Sequence, residues 1–144
     1  LDELSKPATI SFSFETTDFV EAIDDKMYLS PHLFLIIPEN PFKASERKLP
    51  IDFRYPRTFE GAITYTIPEG YSVESIPEPL ELQLSNGLGS YTLAFRKVNA
   101  QSIQVSKSFK SNSTLVAADA YNEIKNFYQQ IVTKEKEKVV LKKS

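Results

Sequence analysis

The sequence predicts a mainly β fold, an antiparallel sandwich with one amphipathic helix near its C-terminus. Three observations carry this. Over most of the chain, apolar residues alternate with polar ones at a period of two, the pattern of strands with one buried face. Turn formers interrupt that alternation at short intervals. Near residue 117 the period changes once, to that of a helix.

The elements follow in order. Ile10, Phe12 and Phe14 share one face of a first strand, with Thr9, Ser11 and Ser13 opposite. "FVEAIDDKMYLS" reads as two strands turning at Asp24 and Asp25, residue types that tolerate left-handed backbone. "HLFLIIP" is continuously apolar from Leu33 to Ile37, which predicts a strand covered on both sides and ended by Pro38. Ile63, Tyr65 and Ile67 line one face of the next strand. "IPEGY" turns the chain into a return strand, "YSVESI". Leu80, Leu82 and Leu84 alternate with Glu81 and Gln83, and "SNGLGS" is the strongest turn signal present. Tyr91, Leu93 and Phe95 form one further face, and Ile103, Val105 and Phe109 another, with "NAQS" between them. Tyr121, Ile124, Tyr128 and Ile131 then follow 3, 4, 3 spacing, with Phe127 and Val132 beside them. Asp119 in the first helical turn and Lys134 in the last suit the helix dipole. "KVVLKK" completes the set as a short strand, for eight to ten strands in all.

The organisation is one domain over residues 1–144, a size at which roughly 70% of the unfolded surface is buried without help from disulfides or metals. Cysteine is absent, which removes thiol nucleophiles, thiolate zinc sites and disulfides together. A net charge of -2 supplies no global field toward nucleic acid or anionic lipid. No apolar run approaches the ~18 residues that would insert in a membrane. The chain starts at Leu1 rather than Met, as a processed or excised fragment of a longer protein would.

Catalytic and metal chemistry find little support. The single histidine, His32, stands at the start of an apolar segment without partner ligands, and a structural or surface role suits it better than catalysis. Asp18, Glu21, Asp24 and Asp25 offer oxygen ligands for calcium but lack the calcium-loop rhythm, and paired aspartates are ordinary at a hairpin tip. "TKEKEKVVLKKS" alternates in sign like a solvated face at a chain end. No catalytic, cofactor-binding or metal-ligating residue is assigned. Glu15, Glu60 or Asp52 converging in a cleft would reopen the question of an enzyme.

The most irregular stretch is "NPFKASERKLPIDFRYPRTF", residues 40–59. Its first half reads as a surface crossing. "LPIDFRYP" is an extended edge segment, because Pro50 and Pro56 lack the amide proton of a central ladder. Alternation there points Ile51, Phe53 and Tyr55 inward and Asp52 and Arg54 outward. Arg47, Arg54, Tyr55 and Arg57 form the candidate interaction surface.

The same stretch carries a resemblance. "NPF" at 40–42, "ER" at 46–47, "PIDF" at 50–53, "YP" at 55–56, "TIPEGY" at 66–71, "VE" at 73–74 and "GSY" at 89–91 occur in an order similar to one bacterial family. The "AYNEIKNFYQQIV" helix and the "KVVLKK" ending extend it over most of residues 33–143. The chain resembles the C-terminal β domain, of unassigned function, in extracytoplasmic proteins that carry a transglutaminase-like central domain. The resemblance implies a jelly-roll-like sandwich in the periplasm or at the cell surface. It also implies a partner, the upstream transglutaminase-like domain of the same polypeptide. That domain would hold the catalytic Cys, His and Asp, none of which transfers to this chain. The expected function is a non-catalytic accessory domain that packs against that core or presents substrate to it. The alternative is an independent glycan- or peptide-binding module.

Overall fold

Two four-stranded antiparallel sheets face one another, and the helix covers the part of one that the other does not reach. The computed structural model describes residues 11, 13–33 and 35–144. Ten strands occur among them: β1 (Val20–Ile23), β2 (Lys26–Leu29), β3 (Ile51–Asp52), β4 (Arg57–Thr66), β5 (Tyr71–Ser75), β6 (Leu80–Gln83), β7 (Gly89–Asn99), β8 (Ser102–Ser111), β9 (Leu115–Val116) and β10 (Val139–Lys143). Helix α1 spans Tyr121–Lys134. The first sheet has the order β1-β2-β10-β5, the second β4-β8-β7-β6, and β3 pairs with β9 alone.

The second sheet is the frame. Its long strands put Ile63 and Tyr65 of β4 on the same face as Ile103, Val105, Lys107 and Phe109 of β8 and Tyr91, Leu93 and Phe95 of β7. At one end this face meets the first sheet, where Leu29, Val139 and Leu141 pack with Ile67 and Ile103. At the other end it meets α1, where Tyr91, Leu93 and Val105 pack with Phe127 and Ile131. A third cluster joins β3 and β9 to the start of the helix through Ile51, Val116, Tyr121 and Ile124.

Local chemistry sets the turns. Asp24 takes φ 54° at the β1–β2 tip, and Asn86 and Gly87 take φ 53° and 67° between β6 and β7. At Gly89 a side-chain carbon would come within 2.5 Å of the Lys110 carbonyl oxygen, so β7 and β8 approach there only with glycine. The helix buries Tyr121, Ile124, Phe127, Ile131 and Val132, the face that its spacing predicts.

Several expectations are corrected. The described residues of "HLFLIIP" form no strand: residues 31–33 turn, Leu33 takes φ 47°, and Leu35 and Ile36 lie exposed. β5 does not return beside β4 but crosses to the opposite sheet, beside β10. Asp119 lies in a 3-10 turn, Ala118–Ala120, just ahead of α1. Ile10 and Phe12 fall outside the described residues, while Phe14 is exposed and not in a strand.

Candidate interaction groove

Helix α1 does not extend over the edge of the second sheet, so the start of β4 keeps part of its inner face open. Phe59 of β4 and Phe109 of β8 are directly opposite in the ladder, and together they form the floor of a cleft of about 950 Å³. Phe42 and Tyr128 close one end, their ring centroids 5.1 Å apart and edge-on. Phe42 also meets Phe53 edge-on at 6.3 Å, and Phe109 meets Tyr128 at 6.0 Å. Such edge-to-face pairs match the positive edge of one ring to the negative face of the other and pack firmly.

The rim is basic. Arg57 holds its guanidinium 4.8 Å above the Tyr55 ring, a cation–π contact that fixes both over the groove. Arg47 donates to the carbonyl of Leu49 at 3.0 Å and to that of Pro50 at 3.4 Å, which secures the loop ahead of β3. Burial raises the Tyr128 hydroxyl pKa, and the positive charge of Arg57 partly offsets this. The Arg57 charge is therefore felt at Tyr128 inside the cleft. Asp52, the acid on this rim, accepts the Arg54 amide at 2.7 Å.

One wall is residues 35–37, and it is held by buried charge rather than by a strand partner. Glu135, just beyond α1, has a fully buried side chain and pairs with Lys107 of β8. The Glu135 carboxylate also accepts the Tyr91 hydroxyl at 2.8 Å and the Ile37 amide at 2.6 Å. Lys107 donates in turn to the Leu35 carbonyl. A buried ion pair tolerates its desolvation only when hydrogen bonds fill the remaining sites, as they do here. Burial beside this carboxylate pushes the Tyr91 hydroxyl pKa strongly upward. His32 lies behind the same wall, its ring edge-on to Phe95 at 6.4 Å. Its Nε2 is buried with no hydrogen-bond partner, and burial lowers its pKa. The Tyr65 hydroxyl donates to Pro31 at 3.0 Å beside it, and burial pushes that group up to about 12.

The structure brings three of the four anticipated surface residues, Arg47, Tyr55 and Arg57, to one groove. Arg54 stands apart from it. Its φ of 65° ends the alternation after Asp52, and Tyr55 turns outward to 57% exposure instead of inward. Ile51 and Phe53 do point inward. Glu135, read from sequence as part of a solvated run, is instead the buried centre of the wall. Lys107 carried a usable signal, since it shares the parity of Val105 and Phe109 on a core face. Of the acidic cluster, Glu21 pairs with Lys138 at 2.8 Å. No group of three or more His, Asp or Glu converges among the described residues. Glu60 pairs with Lys110 at 3.4 Å, away from the groove.

Fold and groove together define a mainly β sandwich module with an aromatic, basic-rimmed groove. The chain belongs to the family described as "Domain of Unknown Function with solved-structure structure (DUF3858)", which it matches over residues 25–141. No curated protein matches the sequence. A crystal structure described as that of "a putative protease from Parabacteroides distasonis ATCC 8503" superposes with a TM-score of 0.56 at 14% identity. The match covers 69% of this chain and 19% of that one. At this identity the likeness shows the fold, and this chain spans about a fifth of that neighbour's length.

Proposed function

We propose that this domain is a non-catalytic accessory module of a transglutaminase-like protein, packing against the upstream catalytic-type domain or presenting substrate to it. The observation that carries the reading is the groove, an apolar aromatic cleft left open in an otherwise packed sandwich, as contact surfaces are. The structural neighbour supports it, because there the same fold is a fifth of a longer chain described as "a putative protease". Transglutaminase-like cores share the papain-like architecture of thiol proteases, and an extracytoplasmic setting follows from the same resemblance. The test compares the parent protein with and without this domain. Loss of the domain lowers the melting temperature of the remainder or its turnover of a protein substrate; no change in either overturns the reading.

A second reading, an independent peptide- or glycan-binding module, is favoured by the Phe and Tyr rings that line the groove. A glycan array without hits, together with no peptide binding by the isolated chain, removes it.

A further inference from the structure

We infer that the groove receives a short extended peptide segment in which an acidic side chain lies next to apolar ones. This deepens the substrate-presenting arm of the proposed function. Size is the first argument. At about 950 Å³ the cleft falls within the range of ligand sites, roughly 300–1,000 Å³, and suits a few residues rather than the face of a folded domain.

Shape is the second. Thr58 and Phe59 of β4 line the cleft, and among the described residues β4 is the outer strand of its sheet, paired with β8 alone. A segment laid along β4 adds main-chain hydrogen bonds at that edge and sets the side chains of one of its faces against Phe59. This is the division of labour of strand addition, with affinity from the backbone and selectivity from the pockets.

Charge is the third, and it selects the acid. The polar groups facing the cleft are mainly donors: Arg47, Arg57, Lys107 and Tyr128. Lys107 is committed to Glu135 and Leu35, and Arg47 to two loop carbonyls. Arg57 has no ion pair among the described residues, only its ring contact with Tyr55. The Tyr128 hydroxyl lies in the field of Arg57 and makes no hydrogen bond among the described residues. Asp52, the one acid lining the cleft, accepts the Arg54 amide through one oxygen and forms no ion pair with Arg57 among the described residues. A carboxylate from the guest supplies the ion pair that Arg57 lacks, and a charge-assisted bond to guanidinium is stronger than a neutral one. A neutral sugar would leave that cation unmatched.

The test titrates the 144-residue chain with two acetylated, amidated hexapeptides, one alternating leucine and glutamate and one alternating leucine and glutamine. Binding is read by isothermal titration calorimetry and located by amide chemical shifts. The glutamate peptide should bind at least fivefold more tightly in low salt, with shifts centred on Arg57, Phe59 and Phe109. The preference should shrink at 0.5 M salt, where screening is short-ranged. It should vanish in Arg57→Gln and fall severalfold in Tyr128→Phe, while both variants keep the parent's melting temperature to within a few degrees. Equal affinities, no binding, or shifts outside the groove overturn the inference, as does a neutral oligosaccharide competing for the same residues where the peptides do not. The assay needs no catalytic domain. Failed peptide binding alongside a deletion effect in the parent therefore removes only this inference, and the reverse result removes only the accessory reading.

Discussion

The two ends of the second sheet's inner face are built from the same strands and end differently. At the closed end, Ile103 and Ile67 meet Leu29, Val139 and Leu141 of the opposite sheet, and all five are buried. At the open end, Phe59 and Phe109 meet helix and loop, and Phe59 stays 36% exposed. A flat sheet covers a flat sheet completely, whereas a single helix covers a stripe. The uncovered margin beside the stripe is the groove. Its far wall then has to be irregular chain, and irregular chain inside a protein needs side chains to satisfy its backbone. Glu135 and Lys107 meet that need.

The sharpest way to break the comparison is to remove the carboxylate. Glu135→Ala leaves Lys107 buried without a counter-charge and should cost about 4 kcal/mol, read from urea unfolding. Replacing both members, Lys107→Met with Glu135→Leu, should cost less than the single variant, because no buried charge is orphaned and only neutral groups, the Tyr91 hydroxyl, Ile37 amide and Leu35 carbonyl, lose their partners. If the single variant is as stable as the parent, the wall is not held as described. Next come paired truncations. Ile103→Ala at the closed end should cost about 3 kcal/mol and Phe59→Ala at the open end about 1 kcal/mol. Similar losses at both would mean that the groove is closed in solution.

Two glycines make the same contrast on a smaller scale. Gly89→Ala drives a methyl into the Lys110 carbonyl and should cost about 2 kcal/mol, whereas Gly61→Ala meets only side-chain atoms, the tip of the Phe59 ring and the end of Leu35, and should stay within ~0.5 kcal/mol. Thermal melts of the two variants check this.

The smallest effect is on pH. Burial lowers the folded pKa of His32 below its ordinary 6.5, so the unfolded chain takes up a proton that the folded chain refuses. The stability contributed is fully present above pH 6.5 and declines as pH falls toward the folded value. Between roughly pH 7.5 and 5.5, the unfolding midpoint should slope downward in the parent and lie flat in His32→Asn. Equal slopes would show that His32 is not buried as described.

Much of the fold was legible because alternation reports burial directly. Leu80, Leu82 and Leu84, or Ile63, Tyr65 and Ile67, needed no knowledge of their neighbours. The failures share one cause, distant side chains replacing local rules. "HLFLIIP" satisfies the strand pattern, yet its amide and carbonyl bond to Glu135 and Lys107, residues that no local window connects with it. Tyr55 was misread because the Asp52 side chain caps Arg54 and reverses the parity after it. Of the groove, the basic and aromatic rim was visible in residues 47–57. Its floor was not, since Phe42, Phe59, Phe109 and Tyr128 converge from four separate elements.

The place of β10 has a consequence for biosynthesis. In the first sheet it lies between β2 and β5, with Val139 opposite Leu29 and Leu141 opposite both Met27 and Val73. Ribosomes deliver the chain at about 5–20 residues per second, so β2 and β5 emerge seconds before the strand that joins them. Until Lys143 leaves the exit tunnel, Leu29 and Ile103 have no lid, and the nascent domain shows a greasy, unpaired pair of strand edges. Chaperone demand should therefore peak before β10 emerges, and a ribosome stalled before residue 139 should hold a nascent chain that proteases cut readily.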